Sequence, residues 1–243
     1  MNKLSIITPA YNCEKTIERT LYSIAGQTYQ NWHMTVIDDM STDSTVETVK
    51  DFIERNRLES KIEIISRKEK FGEVRNTLDI VKKIDPNDVV VRVDASDFIT
   101  DLGCFHIVDE IYSAHPNIAV MWTAHRWAFT DTNISGPIDP NISVYHQPWK
   151  SSHLKTFRAQ ELLNVNEDNF RDNEGNWIMI ACDQAVFLPM MENARRNGKT
   201  LAYLPRMMYH YDIAVEDPNL FKRDRSLRQK QSAENIRARG FIE

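Results

Sequence analysis

The sequence contains little cysteine and no long apolar run. Three of its 243 residues are cysteine. Because this number is odd and the residues are widely separated, a reducing compartment fits better than a disulfide scaffold. No segment approaches the roughly twenty apolar residues that a membrane-spanning helix needs, and the first apolar run is too short for a signal peptide. We therefore predict a cytoplasmic protein without a transmembrane segment.

An excess of positive charge is also absent. The 30 basic residues are outnumbered by 35 acidic ones, which gives a net charge of -5. Sequence-independent binding of nucleic acid by the whole surface is therefore disfavoured.

The turn after the first apolar run reads Thr8-Pro9-Ala10-Tyr11-Asn12 and lacks the glycines that a dinucleotide-binding turn needs, which argues against a nicotinamide- or flavin-dependent oxidoreductase.

Strand and helix patterns alternate along the chain. We predict a helix that begins after Asn12 as its N-cap and stops at Gly26, and a second one opened by a capping box of Ser44 and Glu47. The interleaved pattern predicts one α/β unit with a mainly parallel sheet. Apolar or β-branched runs predict strands at 4–8, 33–37, 62–65, 89–93, 118–123 and 201–204.

Polar side chains follow three of these strands. Tyr11 comes after the first strand, Asp38 and Asp39 after the second, and Asp94 and Asp97 after the fourth. The carboxyl ends of neighbouring parallel strands open onto one crevice. We therefore expect these residues to line a single ligand site suited to a nucleotide.

Eight short motifs are spread over nearly the whole chain. In chain order they are Ser5-Ile6-Ile7-Thr8-Pro9-Ala10-Tyr11-Asn12, Gln27-Thr28-Tyr29, Val36-Ile37-Asp38-Asp39-Met40-Ser41-Thr42-Asp43, Arg75-Asn76, Val93-Asp94-Ala95-Ser96-Asp97, Ser152-His153-Leu154-Lys155-Thr156-Phe157, Cys182-Asp183-Gln184-Ala185 and Tyr209-His210-Tyr211. Together these motifs resemble family 2 glycosyltransferases of the GT-A fold, a Rossmann-like α/β fold. The resemblance implies a single domain with a nucleotide-sugar-binding half at 1–100, an acceptor-binding half at 101–220 and a charged C-terminal helix at 221–243.

The resemblance assigns the donor site to the N-terminal half. Tyr11 would flank the base, and Asp39 would accept a hydrogen bond from the base or the ribose. Arg75 suits a phosphate or a base carbonyl, with a surface ion pair as its alternative. For Asp38 and Asp39 the alternative is turn and capping duty into the second helix. The donor-binding residues that the resemblance implies are Thr8, Pro9, Tyr11, Asp38, Asp39, Arg75 and Asp94.

The metal motif departs from the family pattern. The family has Asp-x-Asp followed by a further Asp, and here Ser96 replaces the second acid. Asp94 and Asp97 would still be able to hold Mg or Mn, because the diphosphate oxygens supply further ligands. The alternative is that Asp94 binds only ribose and that the metal is loosely held or absent.

Asp183 matches the acidic residue of the family that abstracts a proton from the acceptor. The resemblance therefore implies transfer with inversion and Asp183 as the general base, and the alternative for this residue is a simple N-cap. His153 and His210 are candidates for acceptor or diphosphate contacts, or for packed structural histidines. The Arg-x-His order expected near His210 is absent.

The donor expected by default is a UDP-sugar, and the acceptor is open among a glycan, a lipid-linked molecule, a protein and a modified nucleic-acid base. Ser96 and the missing Arg-x-His leave a second class open, a non-catalytic nucleotide-sugar binder.

The tail from Lys222 to Arg239 is locally basic, so it either faces phosphate, an anionic membrane or DNA, or is a solvated face. Phe221, Leu227, Ile236 and Phe241 are the apolar residues expected to anchor it.

Overall fold

Strands and helices alternate in the computed structural model, which describes residues 1–127, 130, 132–212 and 223–243, without the side chains of 223–226. The strands are β1 (Leu4–Ala10), β2 (Trp32–Asp38), β3 (Ile62–Ser66), β4 (Val89–Arg92), β5 (Phe98–Ile99), β6 (Ile118–Trp127), β7 (Lys155–Arg158) and β8 (Thr200–Tyr211). The α-helices are α1 (Ile17–Ala25), α2 (Thr45–Asn56), α3 (Gly72–Val81), α4 (Cys104–Ala114), α5 (Ala159–Leu163), α6 (Cys182–Arg196) and α7 (Arg223–Arg239). Short 3-10 helices occupy Val144–His146 and Glu167–Phe170.

The strands form one mixed sheet in the order β3-β2-β1-β4-β7-β6-β8-β5. The four strands from β3 to β4 are parallel, β7 runs antiparallel to both of its neighbours, and β8 is parallel to β6. This confirms the predicted mainly parallel α/β sheet. Because β7 is antiparallel, it begins at the edge where β1, β2 and β4 end, so its first residue, Lys155, pairs with Arg92 at the end of β4.

A separate apolar core covers each face of the sheet. Alternate residues of a strand point to opposite faces, and in β4 Val89 and Val91 pack with α1, α2 and α4, whereas Val90 packs with α3, α5 and α6. The polar edge of the sheet is thereby held between two rigid layers. The helices α3 and α6, which lie on the same face, present their N-terminal ends to it.

The two predicted side-chain caps were wrong, although the second helix does start at Ser44 as predicted. Asn12 does not cap α1, whose N-cap position is Thr16. The Asn12 side chain instead accepts a hydrogen bond from the Thr42 backbone N–H, 2.8 Å away. Ser44 is the N-cap position of α2, but its side chain makes no capping hydrogen bond, and its backbone N–H donates to the Glu14 carboxylate. In both places a side chain of the loop after β1 binds the backbone of the loop after β2, because these loops meet at the sheet edge.

Helix α7 packs against α6 through part of its basic surface. Ile236 is buried in the core, and Arg237 donates hydrogen bonds to three backbone carbonyl oxygens of 144–147. Phe241 packs under Arg196, so Ile236 and Phe241 anchor the tail as predicted. The prediction for Leu227 was wrong, because 54% of that residue is exposed.

Some of the basic positions predicted to face phosphate or solvent have another role. The Arg239 guanidinium donates a hydrogen bond to the Asn169 carbonyl oxygen, so it, like Arg237, binds the protein itself. Phe221 and Lys222, and the side chains of Arg223 and Arg225, lie outside the described residues.

No helix in the described ranges has both the length and the apolar composition needed to span a bilayer.

Candidate active site

Asp39 holds the N-terminus of α3. Its carboxylate accepts hydrogen bonds from the backbone N–H groups of Phe71 and Gly72, at 2.8 and 3.0 Å, and from the buried amide of Asn76 at 2.9 Å. The expected capping role therefore exists, but for the third helix rather than the second. Asp38 is buried at the end of β2, and its carboxylate accepts a hydrogen bond from the Ser41 backbone N–H, three residues on, so it stabilises the turn after the strand.

Tyr11 and Arg75 each contact a residue of the segment just before α3, Tyr11 through Lys70 and Arg75 through Phe71. The Tyr11 ring is about half exposed and has the Lys70 ammonium 3.3 Å from its centroid. The Arg75 guanidinium stacks 3.5 Å from the Phe71 ring centroid. The expected alternative of an Arg75 ion pair with its helix neighbours is not formed, because the neighbouring carboxylates pair with other arginines.

Two of the predicted donor residues are inside β1 rather than after it. The strand continues to Ala10, so Thr8 is fully buried and Pro9 pairs in register with Ile37. Their contribution to a ligand would be through the backbone at the end of the strand.

A buried arginine links α3 to the aspartate after β4. Arg92 is 3% exposed, and its guanidinium pairs with the carboxylates of Glu73, in the first turn of α3, and Asp94, at 2.9 Å. Burial raises the pKa of Glu73 to about 7, against the attraction of Arg92, and the nearby carboxylates add to this rise. Arg92 thus fixes Asp94 relative to the helix that Asp39 caps.

Lys155 makes the corresponding contact with α6. Its side chain is 1% exposed, and its ammonium lies 2.5 Å from the Asp183 carboxylate. Burial alone would raise the pKa of Asp183, but the attraction of Lys155 and its hydrogen bond, together with His153 and Arg92, outweigh burial and hold that pKa well below its usual range. Asp183 is in the first turn of α6, whose N-cap is Ala181, so the simple N-cap alternative does not apply.

Asp94, Asp97 and His153 form a group with metal-ligand spacing. One ligand atom from each residue lies within 4.8 Å of the other two. Among the described residues, this is the group of three or more His, Cys, Asp or Glu side chains that could hold a metal ion. Burial, with a further contribution from Lys155, lowers the pKa of His153 to about 4, so its imidazole is neutral and able to bind a cation at neutral pH. Two carboxylates and a neutral imidazole form a donor set that fits a divalent ion.

Tyrosines on β8 set the orientation of His153. Its ring is stacked between Tyr209 and Tyr211, with centroid distances of 5.0 and 4.6 Å. Tyr209 also donates a hydrogen bond to Asp97, 2.8 Å away, so one strand orients two members of the group. His210, on the opposite face of β8, stacks on Phe98 and is not part of the three-residue group.

A chain of contacts connects Tyr11, Asp39 and Asp94 along the sheet edge. The Tyr11 ring and the Asp39 carboxylate contact segment 70–72, and Glu73, the next residue, pairs with Arg92. Arg92 contacts Asp94 and is the cross-strand neighbour of Lys155. Sequence reasoning missed Arg92 and Lys155. The signal available was slight, because Arg92 ends the apolar strand β4 and Lys155 begins a four-residue strand that holds a second charged residue.

The fold is that of known glycosyltransferase structures. The crystal structure of S. aureus TarS 1-349 in complex with UDP-GlcNAc matches with a TM-score of 0.63 and 19% identity, over 88% of this chain and 60% of that one. The mannosyltransferase PcManGT from Pyrobaculum calidifontis, in complex with GDP-Man and Mn2+, matches with a TM-score of 0.67 and 16% identity, over 95% of this chain and 62% of that one. At these identities the likeness establishes the GT-A fold.

The sequence itself establishes the family. The model of glycosyl transferase family 2 matches residues 5–160, and the chain belongs to that family. An uncharacterized glycosyltransferase of Haemophilus influenzae is 36% identical over 94 residues, which is 39% of this chain and 28% of the relative. A poly(ribitol-phosphate) beta-N-acetylglucosaminyltransferase, TarS of Staphylococcus aureus, is 34% identical over 102 residues, 41% of this chain and 17% of the relative. The matched region is thus less than a third of these relatives.

Proposed function

We propose that this protein transfers a sugar from a nucleoside-diphosphate sugar, by default a UDP-sugar, to an acceptor hydroxyl with inversion at the anomeric carbon. The observation that supports the proposal is that Arg92 and Lys155, which are cross-strand neighbours, pair with Asp94 and with Asp183 respectively. Membership of the family and the UDP-GlcNAc named in the TarS structure support the choice of donor.

Asp183 is the base in this proposal. Its carboxylate takes the proton of the acceptor hydroxyl while the hydroxyl oxygen bonds to the anomeric carbon, and the bond from that carbon to the diphosphate oxygen breaks. The nucleoside diphosphate leaves with the electron pair. Because Lys155 keeps the pKa of Asp183 low, the base is ionised throughout the physiological range.

The donor side needs positive charge for the diphosphate. Asp94, Asp97 and His153 would hold a divalent ion, and the imidazole in this set favours Mn over Mg. The ion, when bound, would neutralise charge on the leaving diphosphate. His153 then compensates for Ser96, which stands where the family carries an acid.

The test compares donor binding with turnover. We expect Asp183→Asn to bind UDP as wild type does but to lower kcat for transfer by about 10²–10⁴-fold, because only proton transfer is lost. Asp51→Asn, on the exposed face of α2, is the matched carboxylate control. Full turnover by Asp183→Asn would exclude Asp183 as the base.

The metal is tested separately with His153→Ala. This variant should bind Mn more weakly than wild type in a titration without nucleotide, and its UDP affinity should lose its dependence on Mn. If wild type binds UDP-sugars but neither transfers nor hydrolyses them at any Mn concentration, the non-catalytic binder is the correct function and the proposed enzyme is wrong.

A further inference from the structure

A groove beside the candidate active site is not used by the donor residues. It has a volume of about 560 Å³ and lies between segment 172–180, which leads into α6, and one side of α7. We call it the α7 groove. Its volume falls within the range of about 300–1,000 Å³ typical of small-molecule sites.

One end of the α7 groove lies near the proposed base. Ile180 is part of its wall and is held by a hydrogen bond of 2.8 Å from the Ser232 hydroxyl of α7 to its carbonyl oxygen. Asp183 follows three residues later, and three residues span at most about 11 Å. Met179, also in the wall, packs against Gly72 at the start of α3. One end of the groove therefore lies where donor and acceptor halves meet.

The lining selects an uncharged, hydrogen-bonding ligand. Four neutral amides, Asn173, Asn176, Gln231 and Asn235, and one indole, that of Trp177, are exposed to the groove. An amide both donates and accepts hydrogen bonds, which matches a hydroxyl group, whereas phosphate calls for cations.

The charges of the lining balance. Two acidic residues, Asp172 and Glu174, face two basic ones, Arg228 and Arg239, and the Arg239 guanidinium already donates to a backbone carbonyl oxygen. A polyanionic ligand such as nucleic acid gains little net attraction from such a lining.

The aromatic ring in the lining is available on one side. The Arg171 guanidinium lies 4.3 Å from the centroid of the Trp177 ring and covers one face of it. An indole fixed in this way offers a flat apolar surface beside the amides, and the C–H face of a sugar ring is its natural partner.

We propose that the α7 groove binds the neutral sugar part of the acceptor and directs its hydroxyl to Asp183. This inference rests on the proposed function and adds the chemical class of the acceptor and the place where it binds. It assigns α7 a role in substrate recognition through the amides of Gln231 and Asn235.

The experiment uses the full chain and a panel of aryl glycosides as probes. The panel contains p-nitrophenyl glucoside, galactoside, N-acetylglucosaminide and mannoside, with p-nitrophenyl glucuronide as the anionic member. Donor hydrolysis without acceptor is measured in parallel, since hydrolysis reports the donor site alone. Gln231→Ala/Asn235→Ala removes two amides of the groove, and Gln229→Ala removes an amide from a position of the same helix that does not line it.

We expect wild type to accept at least one neutral glycoside and the double variant to raise its KM by about tenfold or more, because two hydrogen bonds are lost. Donor hydrolysis by the double variant should stay within twofold of wild type, and Gln229→Ala should change neither quantity.

Three outcomes would overturn the inference: equal KM values for the double variant and Gln229→Ala, acceptance of the glucuronide alone, or donor hydrolysis with no glycoside accepted. Failure of wild type to turn over any nucleotide sugar would instead contradict the proposed function itself.

Discussion

Replacing Lys155 by methionine would remove a buried cation that holds the proposed base in place. Lys155 is 1% exposed, and its ammonium pairs with Asp183 at 2.5 Å. Methionine has a similar length and fills the same space without the charge. The change therefore isolates the ion pair from the packing around it.

The structure sets the expected magnitude. Removing one partner of a buried ion pair costs about 3–5 kcal/mol, because the other charge is left uncompensated. The Asp183 side chain keeps 33% of its surface exposed and lies in the first turn of α6, where the helix dipole favours a negative charge. We therefore expect the lower end, about 3 kcal/mol, which corresponds to a fall in Tm of about 6–12 °C for a domain of this size.

Thermal and urea unfolding at several pH values would measure this loss. Because the pKa of Asp183 is lowered in the folded state, its contribution to stability is present above the unfolded value near 3.8 and is lost as the pH falls through the folded pKa. The stability gap between wild type and Lys155→Met should thus be full near pH 7 and narrow below about pH 4. In kinetics, the pKa of Asp183 rises in the variant, so the acid limb of kcat/KM should move to higher pH.

Lys82→Met is the matched control. Lys82 pairs with Glu167 at 2.9 Å, but the two side chains are 51% and 40% exposed, so this change should cost less than about 1 kcal/mol. Adding Asp183→Asn to Lys155→Met should recover stability, since the uncompensated charge is removed. If Lys155→Met is as stable as Lys82→Met, or if the double variant recovers nothing, the ion pair does not have the role argued for it.

Three further changes test other parts of the structure. Gly72→Ala should cost about 1–2 kcal/mol in urea unfolding because of its φ of +76°, and Met179→Ala should not rescue it, since the strain is in the backbone; rescue would identify the side-chain contact as the cause. Arg237→Met should cost about 2 kcal/mol through three lost carbonyl contacts, whereas Lys230→Met, with that side chain 74% exposed, should cost under about 0.5 kcal/mol; equal melting temperatures would refute the docking role. Tyr11→Ala should weaken UDP binding about tenfold in calorimetry if the ring stacks on the base, and unchanged affinity would remove it from the donor site.

The sheet edge was predictable from the sequence because it depends on local signals. Strand ends are marked by the change from β-branched residues to Asp, and parallel strands bring such ends together whatever their loops do. Asp39 and Asp94 were therefore placed correctly at the edge. The capping partner of Asp39 was not predictable, because the start of α3 reaches it from more than thirty residues away in sequence.

The buried cations depend on strand order, which no local pattern encodes. Arg92 and Lys155 become neighbours only because β7 enters the sheet beside β4 and runs against it. Taken alone, Arg92 is a charge at the end of an apolar strand, and Lys155 is one of two charges in a short strand. The position of His153 has the same origin, since its ring is fixed by two tyrosines of the last strand.

The charge balance of the edge bears on the proposed cation site, in which Ser96 stands where the family carries an acid. Arg92 and Lys155 contribute two positive charges, but both are already paired with carboxylates of Glu73, Asp94 and Asp183. This cluster therefore has no surplus positive charge to offer an anionic diphosphate, and burial keeps His153 neutral. In the proposed site the neutral imidazole would serve as a ligand where a further carboxylate would have added to the negative charge, so one electrostatic constraint accounts for both the missing acid and the proposed use of His153.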